Sequence, residues 1–233
     1  MSKKVVFLLP GLLCDAAVWR QQVRLLSPLY DVRVPHFFGY DSIPAMARGV
    51  LDSAPERFAV AGHSMGARVV IELFNQAPER VERLAILDTG THPVREGERE
   101  ARQVLVDIAN RDGMEALAAR WIPPMLAPAH ADDPVLLDEI TAMVCRATPL
   151  IFARQIRALL NRPDAEAVLP RIRCPLDVIV GREDGWSPIA QHEDIIARAG
   201  HGRLTVIEDC GHMAPQEQPD AVSDALLRWL EGA

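Results

Sequence analysis

Cysteine is sparse in this chain, and the four present, Cys14, Cys145, Cys174 and Cys210, lie far apart. With no C-x-x-C pair there is no zinc-knuckle or thiol-redox signature, and such dispersed thiols suit a reducing, cytoplasmic setting. No His, Asp or Glu cluster has ligand spacing either, so neither a metal nor another cofactor is expected. Long apolar runs are also missing. After Met1-Ser2-Lys3-Lys4, the stretch Val5 to Leu9 is stopped by Pro10-Gly11, too soon for a signal peptide, and it reads as a buried strand. No stretch approaches the ~20 residues that span a bilayer, which sets aside a membrane-integral protein. Basic clusters are absent, and the net charge of -7 gives no field to attract a phosphate backbone, so nucleic acid is not an expected partner.

What is present is a 233-residue chain, 49% hydrophobic and 24% charged, suited to one soluble core with an insertion. Short apolar runs occur at Val5 to Leu9, Val32 to Pro35, Phe58 to Ala61, Leu84 to Leu87, Leu176 to Val180 and Leu204 to Ile207. They are continuous rather than alternating, and rich in β-branched residues, as strands buried on both faces of a parallel sheet must be. Helical patterns separate them at Ala16 to Leu26, Pro44 to Asp52, Met65 to Gln76 and Pro188 to Ala199, with a last one at Pro219 to Leu230. The expectation is an α/β fold: a mostly parallel sheet of about six strands with helices on both faces. From about Thr89 to Pro170 there is no strand-like run, only proline-punctuated helical patterns near Arg95 to Asn110, Gly113 to Trp121, Pro134 to Arg146 and Pro149 to Asn161. Residues 1–88 and 171–233 therefore read as the core, and 89–170 as a helical cap inserted before the penultimate strand.

One local pattern carries chemistry. Gly62-His63-Ser64-Met65-Gly66 directly follows the strand Phe58 to Ala61 and directly precedes a helix. A nucleophile on so sharp a strand-to-helix turn needs glycine two residues to either side, where a side chain would collide with neighbouring backbone. The turn lifts the Ser64 hydroxyl above the sheet edge and aims the Met65 N–H at the same space, where it can meet an oxyanion.

Serine needs an adjacent base, itself oriented by a third group. His212, in Asp209-Cys210-Gly211-His212-Met213, follows the last strand and is the first choice, with His36, after the second strand, its competitor or else a pocket residue. His63 should point away from its neighbour Ser64, and His92, His130, His192 and His201 read as solvated. Asp184, after the penultimate strand, is the first choice of acid. Asp88, also at a strand's carboxyl end, stays open, and Glu183 reads as a solvated loop charge.

With the elbow, the Gly181 to Pro188 loop and the Gly211-His212 to Glu217-Gln218-Pro219 segment in the order Ser, Asp, His, the chain resembles the α/β-hydrolase superfamily, specifically its small esterase-like members with a helical cap. The loop after the first strand usually reads His-Gly in that family and here reads Pro10-Gly11-Leu12-Leu13. The resemblance implies Leu12 N–H as the second oxyanion donor, a sheet starting at the family's third strand, and no cofactor. It also implies hydrolysis of small, largely apolar esters with water as co-substrate. A C–C hydrolase or lactonase using the same residues, and a slow ligand-binding receptor, are the alternatives. Trp186 and Met213 flank the acid and base as substrate contacts. Trp121, Met125, Leu126, Met143 and Phe152 are candidates for an apolar pocket under the cap, and Cys14 is read as packing.

Overall fold

The computed structural model describes residues 3–232; Met1 and Ser2 of the basic N-terminal stretch, and Ala233, lie outside the described residues. Six strands form one sheet in the order β2-β1-β3-β4-β5-β6. They are β1 (Val5–Leu9), β2 (Asp31–Arg33), β3 (Phe58–His63), β4 (Val81–Leu87), β5 (Leu176–Gly181) and β6 (Arg203–Ile207). Every neighbouring pair is parallel. The central strands β3 and β5 are buried along their whole length, which is why their sequences are continuous apolar runs. The second strand is shorter and earlier than the Val32 to Pro35 run suggested. At the sheet edge only one side is paired, and the chain leaves after Arg33.

Helices α1 (Arg20–Leu26), α2 (Ile43–Ser53), α3 (Met65–Gln76) and α7 (Ile189–Ala199) connect the strands. Right-handed crossovers place α2, α3 and α7 on one face and α1 on the other, since the step from β1 to β2 runs opposite to the rest. There α1 packs with the short α8 (Ala214–Glu217) and with α9 (Pro219–Glu231), which lies on β4, β5 and β6. Between β4 and β5 stand only helices: α4 (Glu98–Trp121), α5 (Pro134–Val144) and α6 (Pro149–Leu160). The two helices expected at Arg95 to Asn110 and Gly113 to Trp121 are both present within α4, parted at Gly113, whose φ of 88° is not helical. Asp133 and Thr148 cap α5 and α6 through side-chain oxygens, each followed by proline at the first turn. The sheet's carboxyl edge faces this helical segment, and all the chemistry collects there.

Candidate functional site

The turn after β3 has the geometry its glycines call for. A Cβ on Gly62 would come within 2.5 Å of the Gly66 backbone, and one on Gly66 would strike the Leu9 carbonyl. Ser64 sits at φ 54° and ψ -115°, a sparsely populated conformation for a non-glycine residue. It is held there because its N–H donates to Leu87 O (2.9 Å) and its carbonyl accepts from Thr89 Oγ1 (3.1 Å). Ser64 thereby lines a cavity of about 470 Å³.

His212 follows β6, and its Nε2 lies 2.9 Å from Ser64 Oγ. Its Nδ1 lies 2.8 Å from Asp184 Oδ2, at the end of the β5 loop. The other oxygen of Asp184 accepts from the N–H groups of Trp186 (2.8 Å) and Ser187 (2.9 Å). Burial opposes charge on Asp184, but the His212 ring and these two N–H donors outweigh it and hold the carboxyl below its ordinary range. Such an arrangement can remove the proton from a hydroxyl as it attacks and return it to a leaving group. Asp88 is elsewhere: its Oδ1 accepts from Gly181 N (3.0 Å), and burial, followed by the charge of Asp184, raises its pKa well above normal.

The Met65 N–H is the first of α3, where no intrahelical partner exists, and it borders the cavity. Across from it, Leu13 N–H is taken by Gln155 Oε1 (2.9 Å) and Cys14 N–H by Gly11 O (3.2 Å). Leu12, between Gly11 and these two, borders the cavity as well. Trp121, Met125, Trp186 and Met213 all line it, and the Trp186 ring stands 5.5 Å from that of His212 and 5.8 Å from that of Trp121. Cys14 lines it too, with its thiol pushed up to about 12, chiefly by burial, so it stays protonated at neutral pH.

Several expectations need correction. His36 is exposed and packs on Phe38 (6.4 Å) outside the cavity, because it follows the edge strand, and Phe37 rather than His36 turns inward. Met143 and Phe152 are fully buried in the interior of the helical segment, and with Leu126 they lie off the cavity wall. His192 is buried, not solvated: its Nε2 accepts from Thr89 N–H (3.0 Å), and burial lowers its pKa to about 4. Glu183 is exposed, yet one of its oxygens accepts from Cys210 N–H (2.7 Å). His63 does turn away from Ser64, beneath the base, where Nε2–H donates to His212 O (2.7 Å) and burial lowers its pKa to about 3.

Other residues of the site went unread in the sequence. The buried Glu217 accepts from Gly211 N–H and Met213 N–H, either side of His212, and from Ala127 N–H of the helical segment. Gln155, on α6, ties that segment to the Leu13 turn. Glu217 lay in plain view four residues after Met213, but a carboxylate accepting backbone N–H groups has no sequence signature of its own.

A family profile described as the alpha/beta hydrolase family matches residues 5–225. The chain belongs to the α/β-hydrolase family. It is 30% identical, over 93% of its length and 91% of the relative's, to a pimeloyl-[acyl-carrier protein] methyl ester esterase of Photobacterium profundum. It is 23% identical over 99% of its length to the bifunctional biotin-biosynthesis protein BioHC of Cellvibrio japonicus, spanning about half (48%) of that protein. Among solved structures, a thermophilic esterase from Thermogutta terrifontis with malate bound superposes with a TM-score of 0.88 at 26% identity, over 99% of this chain and 90% of that one.

Proposed function

We propose that this hydrolase cleaves carboxylic ester bonds of small, largely apolar substrates through an acyl-enzyme on Ser64. The observation that carries the reading is the continuous hydrogen-bonded run from Ser64 Oγ through the His212 ring to Asp184, opening on the cavity. As Oγ bonds to the carbonyl carbon, His212 Nε2 takes its proton, while Asp184 keeps the proton on Nδ1 and stabilises the imidazolium. The N–H groups of Leu12 and Met65 donate to the oxyanion. Collapse breaks the bond to the alcohol, which leaves with the proton from His212. Water, deprotonated by the same nitrogen, then releases the acid and restores Ser64.

The esterase names of the two relatives support ester chemistry here. Residues 89–170 act as a cap over the core of 1–88 and 171–233, with Trp121, Met125, Trp186 and Met213 as the apolar contacts of the substrate. No helix among the described residues is long and apolar enough to cross a membrane, and the four free cysteines support a cytoplasmic place of work.

The test is a fluorophosphonate probe with mass-spectrometric mapping, alongside p-nitrophenyl butyrate turnover. Labelling at Ser64 and loss of turnover in Ser64→Ala are expected; labelling elsewhere, or turnover surviving that change, overturns the assignment. Lactones and vinylogous diketones assayed on the same enzyme decide between ester, lactone and C–C cleavage.

A further inference from the structure

The protein as a whole is acidic, yet the cavity wall beyond the Ser64 end is cationic: Arg68, Arg95, Arg102 and Arg162 against Glu96 and Glu98. These charges do not all neutralise one another. Glu98 is occupied by Arg162 (2.6 and 2.7 Å) and by Arg102 (2.9 Å). Arg162 spends further donors on Leu159 O (2.9 Å) and Pro93 O (2.9 Å).

Arg68 differs. It is only 8% exposed, and among the described residues no carboxylate oxygen lies within ion-pair distance of its guanidinium. Both of its terminal nitrogens share one long contact, 3.3 Å each, to the carbonyl of His92. A guanidinium has five N–H donors, and a buried cation without a counter-charge is costly to the fold. Burial, then the charge of Arg162, pulls its pKa down to about 9, so it is still charged at neutral pH and is relieved by any anion placed beside it.

Its position is set by α3. Arg68 stands four residues after Ser64, a rise of about 6 Å, and side chains on a helix lean toward its N-terminus, here toward Ser64. A small cavity thus holds an attacking hydroxyl and a cation with spare donors a short acyl chain apart.

We propose that Arg68 is an anion subsite, and that the preferred substrates are esters carrying a carboxylate a few carbons from the scissile carbonyl, such as half-esters of short dicarboxylic acids. The inference rests on Ser64 being the nucleophile and narrows the substrate class: apolar around the reacting carbonyl, anionic at the far end. Arg68 pairs with the carboxylate through parallel N–H···O bonds, for which a planar guanidinium is suited and an ammonium is not.

The experiment compares monoethyl glutarate with its neutral counterpart, diethyl glutarate, by pH-stat. In the wild type kcat/KM for the monoester is expected to be at least tenfold higher, mostly through KM. Arg68→Met brings that ratio to about one, Arg68→Lys recovers part of it, and Arg99→Gln, at an exposed position off the cavity wall, leaves it as in the wild type. Competitive inhibition of the wild type by glutarate, but not by glutaramide, is expected independently of any variant. A diester turned over by Ser64 with no preference for the monoester overturns the anion subsite alone. An Arg68→Met change that lowers both rates equally does the same, reducing Arg68 to a support for the His92 loop. If both esters are still cleaved in Ser64→Ala, it is the nucleophile assignment that falls.

Discussion

On the sheet side of the cavity Ser64, Asp184 and His212 are held mainly by backbone: strand ends, N–H groups on Asp184, and the Leu87 carbonyl on the Ser64 amide. On the helical side Glu98 ties Arg102 and Arg162 together side chain to side chain, and Arg162 adds contacts to the His92, Pro93 and Leu159 carbonyls. The first kind of support sets distances to a few tenths of an ångström, which proton transfer requires. The second sets shape and charge while leaving room for change, as a wall that selects substrates needs. Glu217 belongs to both, since it accepts from the N–H groups flanking His212 and from Ala127 in the helical segment.

The largest expected effect on this contrast is at the sheet wall, where Ser64→Ala lowers ester turnover by about 10⁴-fold or more with the fold intact, measured by p-nitrophenyl ester kinetics and circular dichroism. Next comes acid. His63 and His192 have pKa values near 3 and 4 in the folded protein, below the ordinary histidine value of 6.5. The unfolded chain therefore binds more protons as pH falls below about 6.5, and stability drops progressively down to the folded values. The loss is on the order of 3 kcal/mol between pH 7 and pH 5, read from urea midpoints. Asp88, raised by burial, works in the opposite sense, so the diagnostic result is a flatter acid slope in His192→Gln.

Glu217→Gln, which cuts into both walls, is expected to cost about 2 kcal/mol of stability, because Gln has one acceptor oxygen for N–H groups now served by two. Its kcat should fall about tenfold as the His212 loop loosens. Glu98→Gln touches only the helical wall; it should cost about 1 kcal/mol, speed limited proteolysis near residues 95 to 102, and change neutral-ester kcat by less than about threefold. A kcat loss in Glu98→Gln as large as in Glu217→Gln would break the distinction between the two walls.

Much of the sheet wall was legible because its signals are local. Continuous apolar runs mark strands buried on both faces, and Gly62 and Gly66 mark a turn that tolerates no Cβ. The helical wall was legible only as helices. Which of its side chains face the cavity follows from packing, so Phe152 and Met143 were expected there and lie in the interior, while Arg162 and Leu159 line the cavity unannounced. Arg68 did leave a trace: a cation one turn after Ser64, in a helix otherwise apolar through Ala67, Val69, Val70 and Ile71. Nothing in that trace said that, among the described residues, no carboxylate would stand beside it.

The sequence by itself determined the strand–turn–helix carrying Ser64, the alternation of strands with helices, and the order of the three polar residues. These depend on steric limits and periodicities that act within a few residues. The tertiary structure decided that Asp184 and not Asp88 meets the His212 ring, that His36 stays outside, and that Arg68 faces the cavity with donors to spare. Those outcomes depend on which strands lie side by side and on how far each chain end travels before turning. Such distances are fixed only when the whole core packs at once.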